Sequence, residues 1–274
     1  MEILNNISPL PFYTSLQQQH HRKDYAFGQI YPLISEGKYL LPFQFIVHSL
    51  QNITILRIYL VDFSSGTSED ITSDMQGQLT IESLGNDLYI FKYPATLPIN
   101  AISHEGPYYL TIYLAISTGP NPLYSDILYS EVFIASNDIS GYVKLDYANT
   151  YNLQMNQGHI DFNDDFRFKC YLNTEIGKPE YTFEEEATIR MGYPFVESQI
   201  SKKTYRFVCI MPEYLCDALR VMRLCNSKRI FAPQGYYEPF SFSMSPKWEE
   251  QGDLASVECE FETDTIIQNI GNIL

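Results

Sequence analysis

From Val257 to Glu262 apolar and charged side chains take strict turns, with Val257, Cys259 and Phe261 set against Glu258, Glu260 and Glu262. A strand sends successive side chains to opposite faces, so this period of two predicts a β-strand with one buried row and one solvated row of carboxylates. The stretch "TFEEEATIRMGY" repeats the arrangement, Phe183, Glu185 and Ala187 alternating with Glu184, Glu186 and Thr188. "SKKTYR" follows closely, which predicts a hairpin where Lys202, Lys203 and Arg206 neutralise Glu184 and Glu186, each exposed pair contributing about 0 to 1 kcal/mol.

Short β-type runs recur along the chain, separated by Gly, Pro, Asn, Asp and Ser. From Tyr39 they are "YLLPFQFIVHS", "ITILRIYLVDF", "GQLTIES", "DLYIFKY", "YYLTIYLAIS" and "DILYSEVFIA". Six or seven strands with turn punctuation between them predict a β-sandwich. In "ITILRIYLVDF" the odd positions from Ile53 to Phe63 and the even positions from Thr54 to Asp62 are both largely apolar, which predicts a strand covered on both faces. The run from 106 to 135 places two aromatic-rich strands around Gly119, Pro120, Asn121 and Pro122, a predicted hairpin.

Beyond Ala135 the stretch "SNDISGYVKLDYANTYNLQMNQGHIDFNDD" is polar and Asn-rich, and reads as a connection with a domain boundary near residues 136 to 140. The expected domains are therefore 1–137 and 138–274. The second contains strands at "FRFKCYLN", "YTFEEEATIRMGY", "KTYRFVCIMP", "FSFSMSPKWE" and "LASVECEFETDT". One helix is predicted near 212–225, in "PEYLCDALRVMRLC". Pro212 suits a first helical turn, Glu213 complements the positive helix start, and Leu215, Leu219 and Met222 recur on one face to pack on a sheet.

Composition reinforces a mainly β class, because the 22 Tyr and 17 Phe suit pleated, half-buried surfaces. A formal charge of -15 opposes binding to nucleic acid and to anionic lipid. The N-terminus has no basic stretch before an apolar run, and no segment approaches the roughly 20 apolar residues of a membrane helix. The expectation is a protein made in the cytoplasm with no membrane partner. The five cysteines, Cys170, Cys209, Cys216, Cys225 and Cys259, are odd in number and contain no Cys-x-x-Cys, so they read as small buried hydrophobes rather than zinc ligands or disulfides.

Next-but-one carboxylates on a strand stand about 6.5 to 7 Å apart, too far for one small cation without ligands from elsewhere, and a glycosidase pair would require a cleft around one desolvated acid. "DFNDD" places Asp161, Asn163 and Asp165 as a calcium loop would. Phe166 then stands where that loop turns on Gly, and Leu172 where its bidentate Glu belongs. His20 and His21 lie in a polar stretch without zinc spacing, and His48, His104 and His159 are scattered. With no nucleophile elbow, phosphate loop or zincin motif, no catalytic, cofactor-binding or metal residue is expected, and the chain does not read as an enzyme.

Two resemblances add to this reading. The Tyr-x-Leu-x-Ile strand at 108–112 and the "YSEVF" of 129–133 look like the closing hairpin of immunoglobulin-like or fibronectin-like domains, which implies such a sandwich for the N-terminal half. The segments "EEEATIRMGY", "VESQISKKTYRF", "PEYLCDALRVMRL" and "YYEPFSFSMSPKWEEQGDLASVECEFETDTII" together resemble proteins of Bacteroidetes prophages encoded among tail genes. That resemblance implies a tail or baseplate component comparable to distal tail proteins, partnered by itself or by other tail proteins and carried on the virion. Abundant Tyr suits such interfaces. The rival expectation is a carbohydrate-binding or adhesion module in which exposed Tyr and the lone Trp248 stack on sugar rings.

Overall fold

The computed structural model describes residues 1–5, 7–14, 33–50, 52–94, 98–117, 124–248 and 254–269. The predicted turn at 119–122, His20, His21, Glu249, Glu250 and Asp253 lie outside them. In chain order the first half forms β1 (Glu2–Asn5), β2 (Phe12–Thr14), β3 (Leu33–Glu36), β4 (Phe43–His48), β5 (Asn52–Asp62), β6 (Ser68–Asp70), a single-turn α1 (Thr72–Met75), β7 (Thr80–Gly85), β8 (Leu88–Tyr93), β9 (Gly106–Ser117), β10 (Tyr124–Ser130) and β11 (Phe133–Ser136). The second half adds β12 (Tyr142–Ala148), β13 (Leu153–Gln154), β14 (His159–Ile160), β15 (Phe168–Asn173), β16 (Glu180–Arg190), β17 (Tyr193–Pro212), α2 (Glu213–Leu224), β18 (Ser227–Ala232), β19 (Gly235–Tyr237), β20 (Ser241–Trp248) and β21 (Leu254–Asn269). The fold is mainly β.

Two sheets make up the first half. One has the order β1-β4-β8-β7; the other runs β2-β10-β9-β11-β3, with β5 on the far edge of β9 and β6 beyond it. They close on aromatic rings, Phe12 of β2 lying 4.6 Å from Phe43 and 4.7 Å from Phe45 of β4. Stacked and tilted rings at this separation add to what burial alone contributes. The β9–β10 pairing follows the predicted hairpin, from Tyr124 opposite Ile116 to Tyr129 opposite Thr111. The "YSEVF" run, however, is broken. Ser130 ends β10, and Phe133 starts β11, which lies beside the first residues of β9 and pairs in parallel with β3.

Strand β5 departs from the simple alternation. A bulge between Ile55 and Arg57 shifts its register against β9, so Leu56 faces solvent while Ile58 and Leu60 point into the core. One extra residue in a strand moves every later side chain to the other face.

Residues 136–165 are more than a connection. Within them β12 forms an interior strand of the sheet β15-β12-β18-β19, and Val143, Leu145 and Tyr147 are fully buried. Tyr147 also donates its hydroxyl proton to the carbonyl of Ala218 in α2, 2.9 Å away. Helix α2 buries Leu215, Leu219 and Met222 as predicted, together with Cys216, Ala218 and Val221. Pro212 sits in extended backbone just before the helix rather than inside its first turn. All five cysteines are free and buried.

Among the described residues, no sheet mixes strands from before Ser136 with strands from after Tyr142. One apolar core nevertheless runs through both halves. The join is tightly fitted. Gly158, at φ +85°, lies so close to β4 that a Cβ there would meet Ile46 Cδ1 at 2.6 Å, so a side chain would strain the backbone and have to displace the end of Ile46. Gln44 of β4 bonds both the carbonyl and the N–H of Asp161, at 3.0 and 2.9 Å.

Candidate functional site

The last sheet, β16-β17-β21-β20, has two regions of different character. At its root the period-two pattern holds as predicted. Tyr205, Phe207, Cys209 and Met211 of β17 stand with Val257, Cys259 and Phe261 of β21 and Phe242 of β20 on the inner face, and all but the half-buried Tyr205 are buried. The acids line the outer face. Glu260 accepts from Arg206 Nε at 2.7 Å, Glu258 lies 3.9 Å from Lys247, and Thr265 bonds Glu262. In this half-buried row Glu258 and Glu260 form ion pairs and Glu262 accepts from a hydroxyl.

A second bulge, between Lys203 and Thr204 of β17 where Thr263 is the extra residue on β21, marks where the root ends. Beyond it β16, β17 and β21 continue as a ribbon whose described side chains are exposed or half-buried, none of them buried. Phe183 and Ile266 flank Ser201 on one face; Glu184 and Ile267 flank Ile200 on the other. At the tip, Met191 and Gly192 take φ of 50° and 85°, the two positive values that a two-residue hairpin turn of this twist requires. Ile189 is 80 % exposed, Met191 99 % and Phe183 76 %. Tyr181, Tyr193, Ile266 and Ile267 are exposed as well. Single exposed hydrophobes are ordinary, but a group gathered on one projecting element marks a surface that a partner covers.

The charges on this ribbon pair partly as predicted. Lys202 Nζ reaches Glu184 at 2.8 Å. Arg206 turns to Glu180 and Glu260 instead of Glu186, and Lys203 lies over the rings of Tyr181 and Tyr205 at 6.0 and 5.5 Å. Glu185 and Glu186 accept from the neutral side chains of Gln199 and Ser198. Along its outer edge β16 pairs with no described strand.

The second surface is the outer face of the sheet built on β12. Because Val143, Leu145, Phe168, Cys170 and Ile230 point inward, Lys144, Asp146, Lys169, Tyr171, Arg229 and Phe231 lie on the opposite face, joined by Arg167; Asp146 and Tyr171 are buried there, the four cations are half-buried and Phe231 is exposed. Four cations thus gather around Asp146, with Glu36 of β3 beside Lys144, in a chain of 18 basic and 33 acidic residues. Arg167 bonds Asp146 and donates to Ser227 Oγ at 3.1 Å. Lys144 lies 3.6 Å from Glu36 and 5.5 Å from the centres of both the Tyr171 and Phe231 rings. Lys169 and Arg229 form no ion pair with any described residue, and burial, with Lys144 and Arg167 nearby, pushes the Lys169 amine below its usual range. Beside this face a cleft of about 640 Å³ opens towards Leu40, Pro42 and Pro94 of the sandwich.

The calcium-like stretch serves the join between the halves. Asp161 is buried and accepts from Lys92 Nζ at 2.6 Å; Asp164 accepts from the same amine at 3.1 Å. Burial raises the Asp161 carboxyl, but the Lys92 ammonium and the Asn163 N–H outweigh it and hold the group below the ordinary carboxylate range. Burial lowers Lys92, and the two carboxylates overcome that and raise it. Among the described residues no group of three or more His, Cys, Asp or Glu is placed to hold a metal ion, and no helix is long and apolar enough to cross a membrane.

Sequence reasoning anticipated the row at 258–262 and the Lys202–Glu184 pair. It missed the basic face, whose members come from three strands spread over 144–229, although "FRFKCYLN" and "YVKLDYA" each alternate charge with apolar residues. No family model, curated protein or solved structure matches the chain.

Proposed function

We propose that this chain is a structural subunit that works by assembling with protein partners, copies of itself or other tail proteins, as a component of a phage or prophage tail. The observation that carries the assembly reading is the projecting ribbon of β16, β17 and β21, whose apolar side chains lie exposed on both faces and at the tip. Leaving large side chains such as Phe183, Ile189 and Ile266 in water forgoes about 1.5 to 3 kcal/mol each, which a partner surface recovers. The tail assignment rests on the resemblance of residues 180–270 and gives a product made in the cytoplasm and carried on the virion. The rival glycan-binding module has less support, since the exposed ribbon aromatics Tyr181, Phe183 and Tyr193 share their surface with the aliphatic Ile189, Met191, Ile266 and Ile267, and Trp248 stands apart at the end of β20.

Light scattering of the full chain over a concentration series, alone and with neighbouring tail proteins, tests the reading. The expected result is a complex that is lost when Ile189→Ser, Met191→Ser and Tyr193→Ser are combined, with the melting temperature little changed because these side chains are largely exposed in the free chain. A chain that stays monomeric, ignores tail proteins and binds a defined glycan would overturn it.

A further inference from the structure

We infer that the acidic edge of the ribbon on one copy docks on the basic outer face of the β12 sheet of a second copy, giving head-to-tail contacts. The inference rests on the assembly reading above and names the partner surface. Copies of a chain with charge -15 repel one another in general, so self-association needs a place where that repulsion reverses. The basic face is such a place. Lys144, Arg167, Lys169 and Arg229 crowd around Asp146, which lies opposite both Lys169 and Arg229, and with Glu36 offsets only part of their charge; neither Lys169 nor Arg229 closes an ion pair with a described residue. An incoming carboxylate would relieve the mutual repulsion of these cations.

The ribbon edge carries the complement. Its outer strand, β16, presents Glu180, Glu184, Glu185 and Glu186, and the last two, both exposed, bond neutral side chains and form no ion pair among the described residues. Aromatic groups match as well. Tyr181 and Phe183 are interleaved with the acids, while Phe231 and Tyr236 are exposed on and beside the basic face, their rings 4.9 Å apart. No ion pair joins the carboxylates of β16 to this face within one chain among the described residues. Two different patches that complement each other but not themselves define a heterologous contact, which propagates into a ring or a filament rather than stopping at a symmetric dimer.

Sedimentation velocity on the full chain at low and raised salt tests this with two variants, Glu185→Lys/Glu186→Lys and Lys169→Glu/Arg229→Glu. Wild type should assemble and weaken with salt. Each variant alone should associate about tenfold or more weakly than wild type. Mixed together they should recover assembly, because the Lys-bearing edge of the first variant complements the Glu-bearing face of the second, while the intact edge of the second still complements the intact face of the first. If the Lys169→Glu/Arg229→Glu variant melts well below wild type, the exposed pair Glu185→Gln/Glu186→Gln carries the test with the same weakening expected. Wild-type assembly that survives these charge changes but is lost on Ile189→Ser/Met191→Ser/Tyr193→Ser overturns the pairing and leaves the assembly reading standing. A wild-type chain that remains monomeric at all concentrations overturns the pairing outright.

Discussion

Asp161 shows how far a residue's role can lie from its local motif. Its neighbours suggest a turn, and it does make one, accepting the N–H of Asn163 at 2.8 Å; its larger role is to meet Lys92, 69 positions earlier, in a buried pair across the join. No pattern in "DFNDD" announces that, because the pairing is decided by how the halves pack. Asp161→Asn removes the shorter carboxylate contact of the buried Lys92 amine and leaves it the exposed Asp164 at 3.1 Å, so it should cost about 1 to 3 kcal/mol in urea unfolding at neutral pH. The sign of the pH dependence follows from the lowered carboxyl. The stabilisation from Asp161 is present above its unfolded value of about 3.9 and is lost as pH falls through the lower folded value. The gap between wild type and Asp161→Asn should therefore narrow in acid below about pH 4. Lys92 has a raised folded value, so its contribution persists until alkaline pH above about 10.4.

At the scale of elements, period two and turn residues made most strands legible, and period 3.6 with an acidic first turn did the same for α2. Leu219 is fully buried between helix and sheet, so Leu219→Ala should cost about 2 to 5 kcal/mol by denaturant titration, through lost transfer energy and the cavity left behind. What escaped was short or shifted. Strand β12 alternates Val143, Leu145 and Tyr147 with Lys144 and Asp146, but flanking Gly, Asn and Asp made the segment resemble a connection. The bulge at Leu56 was invisible because apolar residues occupy both parities of β5, leaving no polar face to betray a change of register.

For the molecule as a whole, alternation could say that a strand has a wet row and a dry row but not where along the strand the dry row finds something to cover it. Phe183 and Phe261 obey the same pattern, yet one is exposed and the other fully buried, because only the root of the last sheet is backed by α2 and neighbouring strands. The basic face was hidden for a related reason, since the total charge sums over a surface whose cations are gathered on one sheet. The two surfaces belong to different sheets of the second half, and the pairing proposed between them depends on that separation.

Strand β17 runs for 20 residues, from Tyr193 at the tip to Pro212 at the start of α2, and so belongs to both the core and the ribbon. Its backbone amides should exchange with deuterated solvent on two very different schedules. Those of Phe207 and Cys209, at the buried root, should open only with global unfolding, while those between Val196 and Ser201 should open by local fraying without disturbing the core. Once the ribbon is seated on a partner the fast group should slow towards the rate of the root, and mass-resolved exchange on the free and assembled chain would read that change along one continuous strand.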